Sequence, residues 1–237
     1  MAHYDLFAKH YDAVMGEPKA KFDFIEKSIK QHKSNAKRVL EIACGTGSIL
    51  KLLEKKYKVY GLDISPGMLS SAKKKVKSGK FFHQDMTKFK INEKFDVILC
   101  VFDSINHLLK FNQWQQVFSG VNQHLVKNGI FIFDMNMQKK LNRHISEKPW
   151  VHWFGKNFLI MDVTDAGNRV SNWNVKVFEH KKNNVYTLYE ENIKEKAFPL
   201  GQVNKSLKKY FTSIRVTDIK KNHPSQQSEN LILICKK

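Results

Sequence analysis

Residues 38–49 read RVLEIACGTGSI. The first six form a short apolar run rich in branched side chains, and a turn with two glycines, Gly45 and Gly47, follows at once. Ser48 then opens a segment whose Ile49, Leu50, Leu52 and Leu53 have helical spacing, so the stretch predicts strand, tight turn and helix. Glycines between a strand and a helix N-terminus let a ligand approach the main chain closely. The neighbours exclude two ligands for such a turn. Leu50 stands where the dinucleotide fingerprint has its third glycine, and no lysine follows Gly47 as a P-loop requires. Glu41 shares the side of the strand that carries Ala43, where a carboxylate repels a pyrophosphate but favours an ammonium or sulfonium. The ligand is therefore expected to be cationic at this end.

On the C-terminal side, YKVYGLDI (57–64) predicts a second strand ending at Ser65-Pro66, an N-cap with proline at the first helical position. The helix it opens carries Met68, Leu69, Ala72 and Val76. A third strand is read in KFFHQD (80–85). The nearly all-apolar FDVILCVF (95–102) suits a central strand covered on both faces. Phe111, Trp114, Val117, Phe118, Val121 and Leu125 recur at helical spacing, Asn128-Gly129 supplies a stop, and IFIFDM (130–135) makes a fifth strand. Five strands alternating with helices predict a doubly wound parallel sheet with its ligand at the carboxyl ends of the strands.

From 150 to 196 the pattern changes to three runs of alternating character with short spacers at 165–168 and 182–184, which suit hairpins. They predict an antiparallel meander forming a cap. Leu200, Val203, Leu207 and Phe211 then mark a helix, and 214–219 and 231–235 make a hairpin returning to the main sheet. The expected fold class is α/β, a doubly wound, seven-stranded, mostly parallel sheet with an antiparallel β cap inserted after strand five. The expected division is a core with an N-terminal helical segment (1–137), the cap (138–197), and a return helix with the terminal hairpin (198–237).

Composition narrows the function classes. The chain has 237 residues, 42% of them hydrophobic and 12% aromatic, enough for one substantial core with an elaboration. No run approaches the roughly 20 apolar residues of a membrane helix and no signal pattern opens the chain, so a cytoplasmic protein without membrane association is expected. Cys44, Cys100 and Cys235 are odd in number and far apart, which suggests neither a disulfide framework nor a metal site. The net charge of +19 invites a nucleic-acid partner, yet only four of the 41 basic residues are arginine and the lysines are dispersed in short runs. A compositional bias accounts for this better than a designed polyanion surface.

Asp63 ends the second strand, where an acidic side chain can take both hydroxyls of a ribose. Asp85, ending the third, can accept from an exocyclic amine, and Met68 and Met86 can sandwich a flat base. Each carboxylate alone reads equally well as a cap or a solvated strand end. Together, around one glycine turn, they suit an adenosyl ligand. VLEIACGTGSI, YGLDIS, HQDM and FDVILCVFDSINHLL closely resemble the successive cofactor motifs of the class I S-adenosylmethionine-dependent methyltransferases, which have a Rossmann-like fold. The resemblance implies that Ala43, Gly45 and Gly47 pass the methionine portion of the cofactor and that Asp63 and Ile64 hold the ribose. It implies that Asp85 and the Met86 backbone hold the adenine, and that Val101 and Phe102 flank the sulfonium. Glu41 would orient the turn and the cofactor's ammonium. S-adenosyl-L-homocysteine would be the product.

More loosely, the N-terminal YDLFAKHYD, the FDSINHL segment and the cap resemble the subgroup with glycine N-methyltransferase and amino-sugar N-methyltransferases. That similarity places Tyr11 near the sulfonium as a catalytic residue, with Tyr4 as its fallback and a substrate contact. His107 is the candidate general base, since its ordinary pKa suits proton removal near neutral pH, and Asp103 and Asn136 are candidate substrate contacts. Trp150, Trp153 and Tyr189 are candidates to roof the site. The expected function is methyl transfer to N or O of a small molecule, by a monomer or homodimer. A nucleic-acid methyltransferase is the alternative, weakened because strand four runs into CVFDS and not the (D/N)PP(Y/F) of exocyclic base-amine methylators. A non-catalytic cofactor-binding partner subunit is the third reading.

Overall fold

The computed structural model describes residues 7–183, 185–218, 223–225 and 227–237. A short helix, α1 (Tyr11–Met15), and a longer one, α2 (Lys19–His32), precede the sheet. β1 (Arg38–Ile42), β2 (Lys58–Asp63), β3 (Lys80–His83), β4 (Phe95–Cys100) and β5 (Leu125–Asn136) run parallel. They are linked by α3 (Ser48–Leu53), α4 (Pro66–Lys75) and α5 (Phe111–His124). After α7 (Leu200–Leu207), β10 (Ser213–Asp218) and β11 (Asn230–Lys236) close the sheet as a hairpin, with β11 antiparallel to both β10 and β5. The strand order is β10-β11-β5-β4-β1-β2-β3. This is the seven-stranded, mostly parallel α/β sheet expected.

The apolar content of the strands sets where the core lies. β4 has Val97, Ile98, Leu99 and Cys100 all buried because helices cover both its faces. One core layer packs Trp114, Phe118, Phe131 and Phe133, and the other packs Ile25, Ile49, Leu50 and Val97. Ser65 caps α4 as expected, its hydroxyl accepting from the Met68 N–H at 3.1 Å.

Several boundaries differ from the sequence reading. Asn128-Gly129 does not stop α5. β5 already begins at Leu125, and the left-handed Asn128 (φ 60°) lies where the register slips between the pairs Phe95–Leu125 and Val97–Ile130. β3 ends at His83, so Asp85 sits in the following turn. The first alternating run of the cap is two strands, β6 (Trp150–Phe154) and β7 (Asn157–Asp165), because Gly155 turns the chain at φ 61°. With β8 (Val170–His180) and β9 (Tyr186–Lys196) they form a four-stranded antiparallel sheet ordered β6-β7-β8-β9. Before it comes α6 (Gln138–Ser146), which the sequence reading did not contain; its one buried residue is Leu141. The cap's inner face buries Leu159, Val175, Val177 and Ile193 against Val14 and Tyr11 of α1.

Candidate functional site

The carboxyl ends of β1, β2, β4 and β5 open onto two chambers that share Tyr11, Phe102 and Ile193. The first, of about 200 Å3, is built around the glycine turn. Ala43 and Gly45 form one wall, Asp63 and Ile64 come from the end of β2, and Met68 and Met86 face in from α4 and from the turn after β3. Ser104 and His107 arrive on the segment after β4, and Ile193 and Lys194 close the chamber from the cap.

The turn is held open by its own hydrogen bonds. Asp63 accepts from the Gly45 N–H through Oδ2 at 2.8 Å and from the Ser65 N–H through Oδ1 at 2.9 Å, which fixes its carboxylate at the chamber wall. Gly45 has φ 53°, and a side chain there would have only the Met68 sulfur, 4.0 Å away, as a neighbour; it would fill chamber space. Gly47 caps α3 at φ 74°, and a Cβ would lie 3.2 Å from Ala72 and Val76, so its lack of a side chain serves the packing of α4.

Glu41 is buried beneath this turn and its Oε2 has no hydrogen-bond partner. Burial, reinforced by Asp63 and Asp134, pushes its carboxyl well above the usual range. Val101 is buried, and neither it nor Gly47 lines a chamber. Asp85 also lies outside both linings and holds the Thr87 N–H and hydroxyl through Oδ1, both at 2.8 Å. Tyr4 lies outside the described residues.

The N-terminal segment is latched to the turn by Asp12, which the sequence reading missed. Its Oδ1 accepts from the Thr46 hydroxyl at 2.6 Å and the Ser48 hydroxyl at 3.0 Å, and its Oδ2 pairs with Lys75 at 2.6 Å. The adjacent Tyr11 is thereby fixed between the chambers. Burial and the surrounding carboxylates, Asp103 foremost, push its phenol far up, so it stays a donor.

The second chamber, of about 240 Å3, lies between the core and the cap. Leu159, Met161, Trp173, Val175 and Ile193 give it an apolar ceiling, with Trp150 at its edge. Its floor carries two carboxylates, Asp103 and Glu195. Asn136 joins them, its Nδ2 donating to Asp103 Oδ2 at 2.9 Å and Glu195 Oε2 at 3.0 Å. Asn136 is buried and lines neither chamber, its Oδ1 being taken by Lys140 and Asn230. His107 lines the first chamber and not the second, with Nδ1 3.3 Å from the Lys194 carbonyl. Of the aromatics expected to roof the site, Trp150 lines the second chamber, whereas Trp153 and Tyr189 line neither.

Phe102 and Asp103 both have left-handed backbones, φ 59° and 50°, a conformation held by the structure around it. The Asp103 N–H donates to Asp134 at 2.8 Å, and Asn106 clamps the same segment. Asn106 Oδ1 accepts from the Asn136 N–H at 2.9 Å, and Nδ2 donates to the Asn136 and Lys196 carbonyls at 3.1 and 3.0 Å. β4, β5 and the cap are thus tied together beside the chambers.

A family model described as a methyltransferase domain matches residues 39–129. The putative methyltransferase YqeM of Bacillus subtilis (strain 168) is 30% identical over 241 residues, covering 99% of this chain and 97% of that protein. The dTDP-3-amino-3,6-dideoxy-alpha-D-glucopyranose N,N-dimethyltransferase of Streptomyces fradiae is 28% identical over 131 residues, covering 55% of this chain and 45% of its own length. Among solved structures, an S-adenosylmethionine-dependent methyltransferase from Clostridium acetobutylicum ATCC 824 superposes with a TM-score of 0.85 at 26% identity, covering 98% of each chain.

Proposed function

The chain belongs to the S-adenosylmethionine-dependent methyltransferases, and from that premise we propose that it methylates a nitrogen or oxygen of a small molecule held in the chamber under the cap. One observation carries this reading: the cap roofs the second chamber, which meets the first at Tyr11, Phe102 and Ile193. A roofed hollow with largely apolar walls and a few placed polar groups suits a compact ligand. A polynucleotide needs an open groove.

The residues of the first chamber fit the cofactor. Asp63 presents a carboxylate fixed by two backbone donors to a ribose, Met68 and Met86 offer apolar faces to adenine, and the bare Gly45 leaves room for the methionine portion. The carboxylates Asp63 and Asp103 near the turn suit a cation, and Glu41, buried behind the turn and in neither lining, keeps an unpartnered Oε2 for an ammonium reached through water. Bound there, S-adenosylmethionine supplies an activated methyl group. The protein then has to align the acceptor, exclude water and accept a proton. Tyr11 and Phe102, shared by both chambers, stand where the acceptor and the methyl group must meet.

The amino-sugar dimethyltransferase of Streptomyces fradiae supports a small acceptor, and the dispersed lysines weigh against RNA. The test supplies methyl-labelled S-adenosylmethionine to the protein with fractionated cell extract. Label should enter the small-metabolite fraction and vanish with Asp63→Ala. Saturable label in total RNA, with metabolites unlabelled, would overturn the reading.

A further inference from the structure

We propose that Asp103 and Glu195 together bind the acceptor as an ammonium and take up the proton its nitrogen must lose before methyl transfer. The proposal rests on the reading of the second chamber as the acceptor site. It narrows the acceptor to an amine and moves the proton-accepting role from His107, which lines the other chamber, to a carboxylate pair on the chamber floor.

The geometry begins with burial. Glu195 is 4% exposed, yet it lines the chamber. A glutamate in that position keeps its charge only with partners of opposite sign. Its neighbours provide few. Asn136 Nδ2 donates to it at 3.0 Å and to Asp103 at 2.9 Å, and the two carboxyl groups are close enough to hydrogen-bond to each other. Lys140 is the one lysine in the lining, and its Nζ donates to Asn136 Oδ1 at 2.9 Å. His144 faces in from α6 with its imidazole held toward the neutral form by burial, and Tyr11 faces in from α1 as a neutral phenol. Lys140, the one lysine of the lining, therefore offsets at most one of the two acidic groups on the chamber floor. The aromatic rings of Tyr11, Phe102, Trp150 and Trp173 around them complete the surroundings that favour an organic cation.

Burial first, then the charge of Asp103, push Glu195 up to about 8. Burial thus raises the proton affinity of Glu195 toward that of an amine, the direction a general base for an ammonium requires. In the step itself an N–H bond breaks and an O–H bond forms on the carboxylate. The electron pair stays on nitrogen as the lone pair available for attack. An ammonium and a carboxylate become an amine and a carboxylic acid, so the net charge of the chamber does not change.

The pair behaves as one coupled unit. In the empty chamber burial and the neighbouring Asp103 favour the protonated form of Glu195. An arriving ammonium favours its ionised form, so binding should release a proton to solvent.

That release provides the test. The wild-type protein, saturated with S-adenosylhomocysteine, is titrated calorimetrically with benzylammonium and with the neutral isostere benzyl alcohol at pH 7, in two buffers of different ionisation heat. We expect the ammonium to bind at least about tenfold more tightly than the alcohol, with release of about one proton. In Glu195→Gln the preference should fall below about threefold and the proton release disappear, while the affinity for S-adenosylhomocysteine changes less than about twofold. Asp103→Asn, on a loop, should also reduce the preference if Glu195→Gln does not fold. Equal affinity of wild type for the two probes, no binding of the ammonium at millimolar concentration, or a preference unchanged in both variants would overturn the proposal. Label transfer into RNA would overturn the small-molecule reading itself; a labelled metabolite together with equal probe affinities would overturn only the ammonium pair.

Discussion

Asp63 holds the glycine turn and, in the proposed site, would hold the ligand as well. Its two oxygens accept from Gly45 and Ser65, which fixes the carboxylate at the wall of the first chamber. Asp63→Ala should weaken S-adenosylhomocysteine binding by about 1.5–3 kcal/mol in calorimetry, as charge-assisted hydrogen bonds are lost. An affinity unchanged within twofold would remove Asp63 from the site. Glu195 makes a different prediction because its proton is bound more tightly in the folded protein than in the unfolded chain. Its folded pKa of about 8 lies above the ordinary 4.5, so the unfolded chain releases the proton first and stability falls as pH rises between those values. Glu195→Gln should therefore gain on wild type as pH rises, its melting temperature relative to wild type being at least several degrees higher at pH 8.5 than at pH 5. A difference independent of pH would contradict the assignment. Asp63 was legible from its place at a strand end after a glycine turn. Glu195 was not, because in YEENIKEK nothing local separates it from Glu190 and Glu191; only the pairing with Ser171 and the packing over β5 put it on the chamber floor.

At the scale of elements, the glycine turn and the latch on it decide the shape of the first chamber. Gly47→Ala would force a left-handed backbone on a residue whose Cβ meets Ala72 and Val76 at 3.2 Å. It should cost about 1–3 kcal/mol in denaturant unfolding. A loss below about 0.3 kcal/mol would show that α3 and α4 adjust freely. The parallel core was readable because each strand is a compact apolar run with its own turn signal and each long helix shows a 3.6-residue period. α6 was invisible for the opposite reason: QKKLNRHIS buries only Leu141, too few apolar positions to establish a period. The first two cap strands read as one because a single glycine, Gly155, makes the turn between them. Asp12 and Asn106 lay in segments whose resemblance was noted, yet their roles depend on contacts with Thr46, Lys75 and Asn136 that lie far away in sequence.

For the whole molecule, the arrangement of the two sheets matters most. The seven-stranded sheet brings its strand ends together on one side, and the cap sheet lies over them with Ile193 facing both chambers. The charge of +19 does not concentrate there, since the chamber linings carry Asp63, Asp103 and Glu195 against Lys140 and Lys194. The class of reaction was legible from the glycine turn and its carboxylates. The proposed division into a cofactor chamber and an acceptor chamber was not, because the two hollows arise where α1, the Phe102-Asp103 turn and β9 meet. A crystal structure of the complex with S-adenosylhomocysteine tests that division most directly. The adenosine should lie between Met68 and Met86 with its ribose on Asp63, and the sulfur should face the gap between Tyr11 and Phe102, leaving the chamber above Asp103 and Glu195 clear. A ligand seated under Trp173 on the Glu195 floor, with the glycine turn bare, would contradict it.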